Sequence, residues 1–107
     1  MEKFNLDDMI KGWFVGNINP TVLSTDVCEV AVKHYKAGDS EKSHYHKIAT
    51  EVTVVIQGKV SMGGINYSAG DIIKIDPGTA VDFFCHTDAI TTVVKIPGVL
   101  NDKYLSE

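Results

Sequence analysis

Hydrophobic positions along this chain fall in short runs that alternate with polar positions, and each run is closed by glycine or by turn-forming residues. Runs rich in Val, Ile, Thr, Tyr and Phe cover Val27–Tyr35, Val52–Ile56, Lys59–Met62, Ile65–Tyr67, Asp71–Ile75, Val81–His86 and Ile90–Ile96. Their lengths are those of strands, too short for most helices. The joints are Gln57-Gly58, Gly63-Gly64, Ser68-Ala69-Gly70, Asp76-Pro77-Gly78 and Thr87-Asp88. Such pieces suit tight turns, because Gly accepts positive φ while Asp and Pro pre-set turn geometry. Short strands with hairpin-sized joints predict an all-β fold, an antiparallel sandwich or barrel. Only Asn5–Phe14 has a pattern that suits a helical turn or two, with Asp7 or Asp8 placed to cap it.

Several strands are apolar on both faces, one face being more polar than the other. In Glu51–Gln57, Val52, Val54 and Ile56 oppose Glu51, Thr53, Val55 and Gln57. In Val27–Tyr35, Cys28, Val30, Val32 and His34 oppose Val27, Glu29, Ala31, Lys33 and Tyr35. A sheet apolar on both sides needs an interior plus an outer cover, either a second copy of the chain or the N-terminal segment. The small size of the barrel favours a homodimer. Trp13 and Phe14, near Met9 and Ile10, are expected to pack across the barrel or a partner, or to form a lid.

At 107 residues the chain is one domain, with a barrel core at about 27–96 and an N-terminal packing segment at 1–20. A formal charge of −4 argues against electrostatic capture of nucleic acid or a membrane surface. The start MEKFNLDDM has neither the basic nor the apolar stretch of a secretory signal, so a cytoplasmic location is expected. Cys28 and Cys85 lack a C-x-x-C arrangement, and two reduced thiols are the plain reading.

The chemistry concentrates in Gly38 to Gly58. On an extended chain His44 and His46 leave the same face about 7 Å apart, able to converge on one ion. Glu51 would point the other way on a continuous strand, so a bend within Lys47–Thr50 is required to return it to the same cavity. Two imidazoles and a carboxylate make a mixed donor set for a divalent metal ion: Fe(II), Mn(II), Ni(II), Cu(II) or Zn(II).

Gly38, His44, His46, Glu51 and Gly58 fill every fixed position of G-x5-H-x-H-x3or4-E-x6-G. This resembles the first signature of the cupin superfamily. The second signature, G-x5-P-x-G-x2-H-x3-N, is matched in part: Gly70 and Gly78 hold their places, while Asp76, Val81 and Cys85 replace the first proline, the fourth metal ligand and the asparagine. The resemblance covers about 27–96 and implies a single-domain cupin-type antiparallel β-barrel, a jelly roll. It also implies a metal site of His44, His46 and Glu51 that lacks its third histidine. His34 and His86 are expected to face outward rather than replace it.

The resemblance turns Val81, Phe83 and Cys85 toward the pocket, and with them Tyr35, three residues before the signature glycine; alternation from Glu51 and Tyr35 then adds Thr53 and Lys33 to the pocket wall. A cation, hydroxyls and an aromatic wall suit a small polar molecule bearing a carboxylate, a phosphate or sugar hydroxyls. The leading expectation is a metal-binding cupin that binds or converts such a molecule, the ion polarising a carbonyl or enediol oxygen or binding O₂. One alternative is a metal-free cupin resembling the sugar-nucleotide isomerases and epimerases, with His44 and His46 as an acid–base pair. Another is a non-catalytic ligand-binding or regulatory barrel. The C-terminal Asn101–Glu107 is expected to be a solvated tail or a short exchanged edge strand without chemistry.

Overall fold

A computed structural model describes residues 1–106. A single 3₁₀ turn, Leu6–Asp8, precedes ten strands: β1 Trp13–Val15, β2 Glu29–Tyr35, β3 Ser40–Tyr45, β4 Thr50–Gln57, β5 Lys59–Met62, β6 Ile65–Ser68, β7 Ile72–Ile75, β8 Val81–Cys85, β9 Ala89–Ile96 and β10 Tyr104–Leu105. They form two five-stranded antiparallel sheets, ordered β1-β2-β9-β4-β7 and β10-β3-β8-β5-β6. The all-β antiparallel fold expected from the turn spacing is therefore observed, and the two sheets form the jelly roll that the cupin resemblance implies. No helix among the described residues is long and apolar enough to cross a membrane.

The helical expectation at Asn5–Phe14 is corrected. Only Leu6–Asp8 turns, and its cap is Asn5, whose Oδ1 accepts from the Asp7 N–H at 2.9 Å. Trp13 and Phe14 are extended in β1, which pairs with β2 through Trp13↔Ala31 and Val15↔Val30, so this part of the N-terminal segment lengthens a sheet.

Alternation decides which strand face turns inward, and the more polar face wins. Glu29 and Ala31 on β2, Thr53 and Val55 on β4, and Thr91 and Val93 on β9 are buried. Their neighbours Val30, Val32, Val52, Val54 and Val94 are only half-buried on the outside. Gln57, expected on the inner face, is exposed, because the β4–β9 register shifts between Val55 and Gln57.

The interior divides lengthwise. At one end Val55, Val60, Met62, Ile75, Phe83, Cys85 and Ala89 form a dry core. Each fully buried aliphatic side chain there contributes about 1.5–3 kcal/mol. The other end carries the charged inner residues and stays open. Gly58 holds the β4–β5 joint at φ +93, and a Cβ there would run into the backbone of Asp88 and Ala89. Only glycine meets both conditions, which gives this signature position a physical cause.

Candidate functional site

The bend that Glu51 requires is present. β3 ends at Tyr45, the chain turns through residues 46–49, and β4 starts at Thr50. Three consecutive N–H groups in that turn have no strand partner, and all three donate to one carboxylate: Lys47 to Asp102 Oδ1 at 2.9 Å, and Ile48 and Ala49 to Oδ2 at 3.0 and 2.9 Å. Burial alone would raise the pKa of Asp102, yet these N–H donors, with His46 nearby, hold it below the usual carboxylate range. The segment around Asp102 arrives on β10, which pairs with β3 as Tyr104↔Tyr45 and Leu105↔His44. Tyr45 and Tyr104 stack with ring centroids 5.5 Å apart. Asn101–Ser106 is thus a built part of the site, correcting the expectation of a tail without chemistry.

Both histidines are fixed in one tautomer by their backbone neighbours. His44 Nδ1 lies 3.0 Å from the Lys42 carbonyl, and His46 Nδ1 hydrogen-bonds the Asp102 carbonyl. A carbonyl only accepts, so both Nδ1 atoms carry the proton and both Nε2 atoms present a lone pair. His46 Nε2 is buried without a hydrogen-bond partner and lies 3.7 Å from Glu51 Oε1. The two imidazoles meet edge to face at 5.5 Å. Glu51 Oε2 accepts from the Thr53 hydroxyl at 3.3 Å. Among the described residues, no three His, Cys, Asp or Glu side chains are drawn together closely enough to hold an ion as they stand. The arrangement pairs His46 with Glu51 and His46 with His44 without closing all three around one point.

Between the sheets opens a cavity of about 500 Å³ whose wall includes His44, Glu51, Lys33, Tyr35, Thr53, Val81 and Phe83. His46 stands behind this wall, 5% exposed. Cys85 is not on it, which corrects the expectation from the resemblance. It shares the inward direction of Val81 and Phe83 but lies further along β8, in the dry core with no exposed surface.

No protein-family model and no curated protein matches the sequence. Solved structures do. An uncharacterized conserved protein with a double-stranded beta-helix domain from Klebsiella pneumoniae superposes with TM-score 0.73 and 26% identity, over 98% of this chain and 91% of that one. An RmlC-like cupin from Shewanella frigidimarina gives TM-score 0.63 and 21% identity over 73% and 72% of the two chains. The DMSP lyase DddQ from Ruegeria pomeroyi gives 0.67 and 17% over 97% and 59%. The fold is the double-stranded β-helix of the cupins.

In this chain Val81, at the position where the resemblance places a fourth ligand, pairs directly across the ladder from His44. An apolar wall stands where that imidazole would. His34 and His86 are exposed on the outside, as alternation required. The Tyr35 hydroxyl donates to Glu41 Oε1 at 3.4 Å, and burial followed by the Glu41 carboxylate pushes its pKa well up, so it stays protonated. Burial holds the Lys33 ammonium below its ordinary pKa, against the attraction of Glu41.

One residue that matters here had no local signal. Asp102 lies more than fifty positions from the N–H groups it binds, so no short-range pattern joins them. Trp13 reaches the cavity wall, where Lys33 Nζ and Lys95 Nζ lie 5.0 and 4.8 Å from its ring centroid. Alternation along β9 from Thr91 would have found Lys95.

Proposed function

We propose that this cupin binds a divalent metal ion through His44, His46 and Glu51 and uses the cavity beside it to bind or convert a small polar molecule. The observation that carries the reading is the pair of Nδ1–carbonyl hydrogen bonds. They turn both Nε2 lone pairs into available donors and leave that of His46 buried with no partner. Metal-binding histidines are ordinarily oriented in this way by their second nitrogen. A buried polar atom without a partner is costly, and an ion relieves that cost. The donors fit Fe(II), Mn(II), Ni(II), Cu(II) or Zn(II) once the Glu51 carboxylate exchanges the Thr53 hydroxyl for the ion.

A divalent ion held there supplies a Lewis acid for a substrate oxygen. The chain's own contributions are distinct from it. Phe83 and Val81 exclude water from one wall of the cavity. The Tyr35 hydroxyl, kept protonated, orients the Glu41 carboxylate and remains a donor. Asp102 holds the turn from which His46 projects. Two free thiols suit a reducing, cytoplasmic setting. The outer face of the β1-β2-β9-β4-β7 sheet, with Ile56, Ile72 and Ile96 exposed among half-buried valines, suits cover by a second copy in a homodimer.

Elemental analysis of purified protein beside a folded His44→Ala/His46→Ala variant tests the reading. Stoichiometric metal in the parent and none in the variant is expected. No binding of any of the five ions with Kd below about a millimolar defeats it.

One observation favours a second reading. His44 reaches the cavity while His46 stays behind it, and the three donors do not converge as they stand. In a metal-free cupin His44 Nε2 would then meet the ligand as a base, with Glu51 on the same wall and His46 behind it. Metal absent even after reconstitution, with turnover of a 4-keto-6-deoxy nucleotide sugar lost in His44→Ala, is its expected signature.

A further inference from the structure

We propose that the cavity takes a compact dianion, seated between the Lys33 and Lys95 ammonium groups beside Trp13, with Lys11 and Lys103 completing a cationic rim. This rests on the ligand-binding reading above and adds the charge of the ligand.

The ladder registers build the seat. Trp13 lies across from Ala31, which lies across from Val93, and these three make one row of the sheet. Two residues to one side the row is Lys33↔Thr91, and two residues to the other side it is Glu29↔Lys95. The two lysines therefore arise about 13 Å apart along the sheet and straddle the indole. Both bend toward it. With Nζ atoms 5.0 and 4.8 Å from the ring centroid, the two ammonium nitrogens are within about 10 Å of each other. The electron-rich ring partly substitutes for a counter-ion.

Charge accounting shows that no carboxylate of the described residues pairs with these lysines. The chain is acidic overall, yet four of its ten lysines line this cavity. Among the described residues none of the four has a carboxylate oxygen within 4.0 Å, the lysine that has one being Lys74, paired with Asp76. The acids on the same wall are mostly engaged elsewhere. Glu41 accepts from the Tyr35 hydroxyl, Asp82 from the Gly63 N–H, and Glu51 from the Thr53 hydroxyl. Only Glu29 is left, buried in the row beside Lys95. Lys33 Nζ finds no more than the Lys11 carbonyl at 3.4 Å. Besides burial, and against the attraction of Glu41, the neighbouring Lys95, Lys11 and Lys103 charges each make the Lys33 ammonium harder to keep. An anion between them reverses that repulsion. A cavity of about 500 Å³ selects a small one.

Trp13 is the sole tryptophan, so its fluorescence reports on this seat alone. Metal-stripped, dialysed protein is titrated at low salt with malonate and with inorganic phosphate, and calorimetry is run in parallel. Saturable binding in the sub-millimolar range is expected, with acetate and glucose each at least about tenfold weaker. Lys33→Met and Lys95→Met should each weaken malonate or phosphate binding by about tenfold or more, while Lys74→Met, on the exposed surface, leaves it unchanged. The protein carries no metal in this titration, so saturable binding of both anions separates this seat from the metal site. Glucose binding as tightly as malonate overturns the dianion proposal while sparing the ligand-binding reading. No saturable binding of any of the four probes up to about 10 mM overturns both. Undiminished anion binding in folded Lys33→Met and Lys95→Met proteins overturns the assignment of the seat.

Discussion

Replacing Asp102 by alanine removes the acceptor of three backbone N–H groups at once, and its cost can be worked from the structure. Hydrogen bonds to an ionised acceptor contribute about 1.5–3 kcal/mol each. The Ala49 N–H belongs to a residue only 2% exposed, so its bond counts in full and leaves a donor without a partner. Lys47 and Ile48 are exposed, and water replaces much of what their N–H groups lose. Together the loss comes to about 3–4 kcal/mol. For a domain near this length that lowers Tm by about 12–16 °C. The same substitution frees the turn from which His46 projects, so metal affinity should fall by about 10–100-fold, as it does when an outer partner of a metal ligand is removed. Urea denaturation and calorimetry read the first effect, and metal titration of the folded fraction reads the second. Lys103→Ala, next along the chain but exposed, should change stability by less than about 0.5 kcal/mol. A loss below about 1 kcal/mol in Asp102→Ala would refute the role of this carboxylate as the clamp of the histidine turn.

Other consequences are equally open to measurement. Gly58→Ala should cost more than about 2 kcal/mol in denaturant unfolding, because the new Cβ meets the Ala89 Cα at 2.8 Å in a backbone conformation that L residues rarely adopt. Burial, with the Asp39 and Glu41 carboxylates, pushes the Cys85 thiol from about 9 up to about 11. The folded state then holds a proton that the unfolded state loses, so stability contributed by this thiol is intact below pH 9 and is lost as pH rises toward 11. Cys85→Ala should flatten that alkaline decline, and iodoacetamide at pH 8 should spare Cys85 in the native protein. Val81→His, directly across from His44, should tighten metal binding by about tenfold or more, read by competition with a chelator. If the proposed homodimer forms on the outer valine face, Val54→Asp shifts sedimentation to the monomer.

Much of this molecule was readable from local pattern. The joints at Gly58, Gly63-Gly64, Gly70 and Asp76-Pro77-Gly78 delimited β4 to β8 to within a residue or two, because positive-φ turns leave a compositional mark. Period-two alternation, started from the positions that the signature resemblance supplies, names Lys33, Tyr35, Thr53, Val81 and Phe83 as pocket residues, and these five stand on the cavity wall. It failed for Cys85, since alternation gives a direction but not a depth, and a strand that starts on a cavity can end in a core. β1 escaped notice, and at β10 local pattern leaves open a solvated tail or an exchanged edge strand, for another reason. Each is three residues or fewer, and their extended conformation is fixed by pairing with β2 and β3 rather than by their own composition. The lysine rim depended on that same non-local register, because only the β1–β2 pairing carries Trp13 to a position between Lys33 and Lys95.

The closure of the histidine turn by Asp102 also sets an order of events during synthesis. His46 and Glu51 emerge first, while the carboxylate that orders residues 47–49 follows more than fifty residues later. At about 5–20 residues per second, the turn waits several seconds for its clamp. The strand that joins β2 to β4, β9, ends at Ile96, only six residues before Asp102. The barrel and its binding centre therefore close almost together, and premature capture of an ion by half-oriented histidines is limited to the seconds before Asp102 docks.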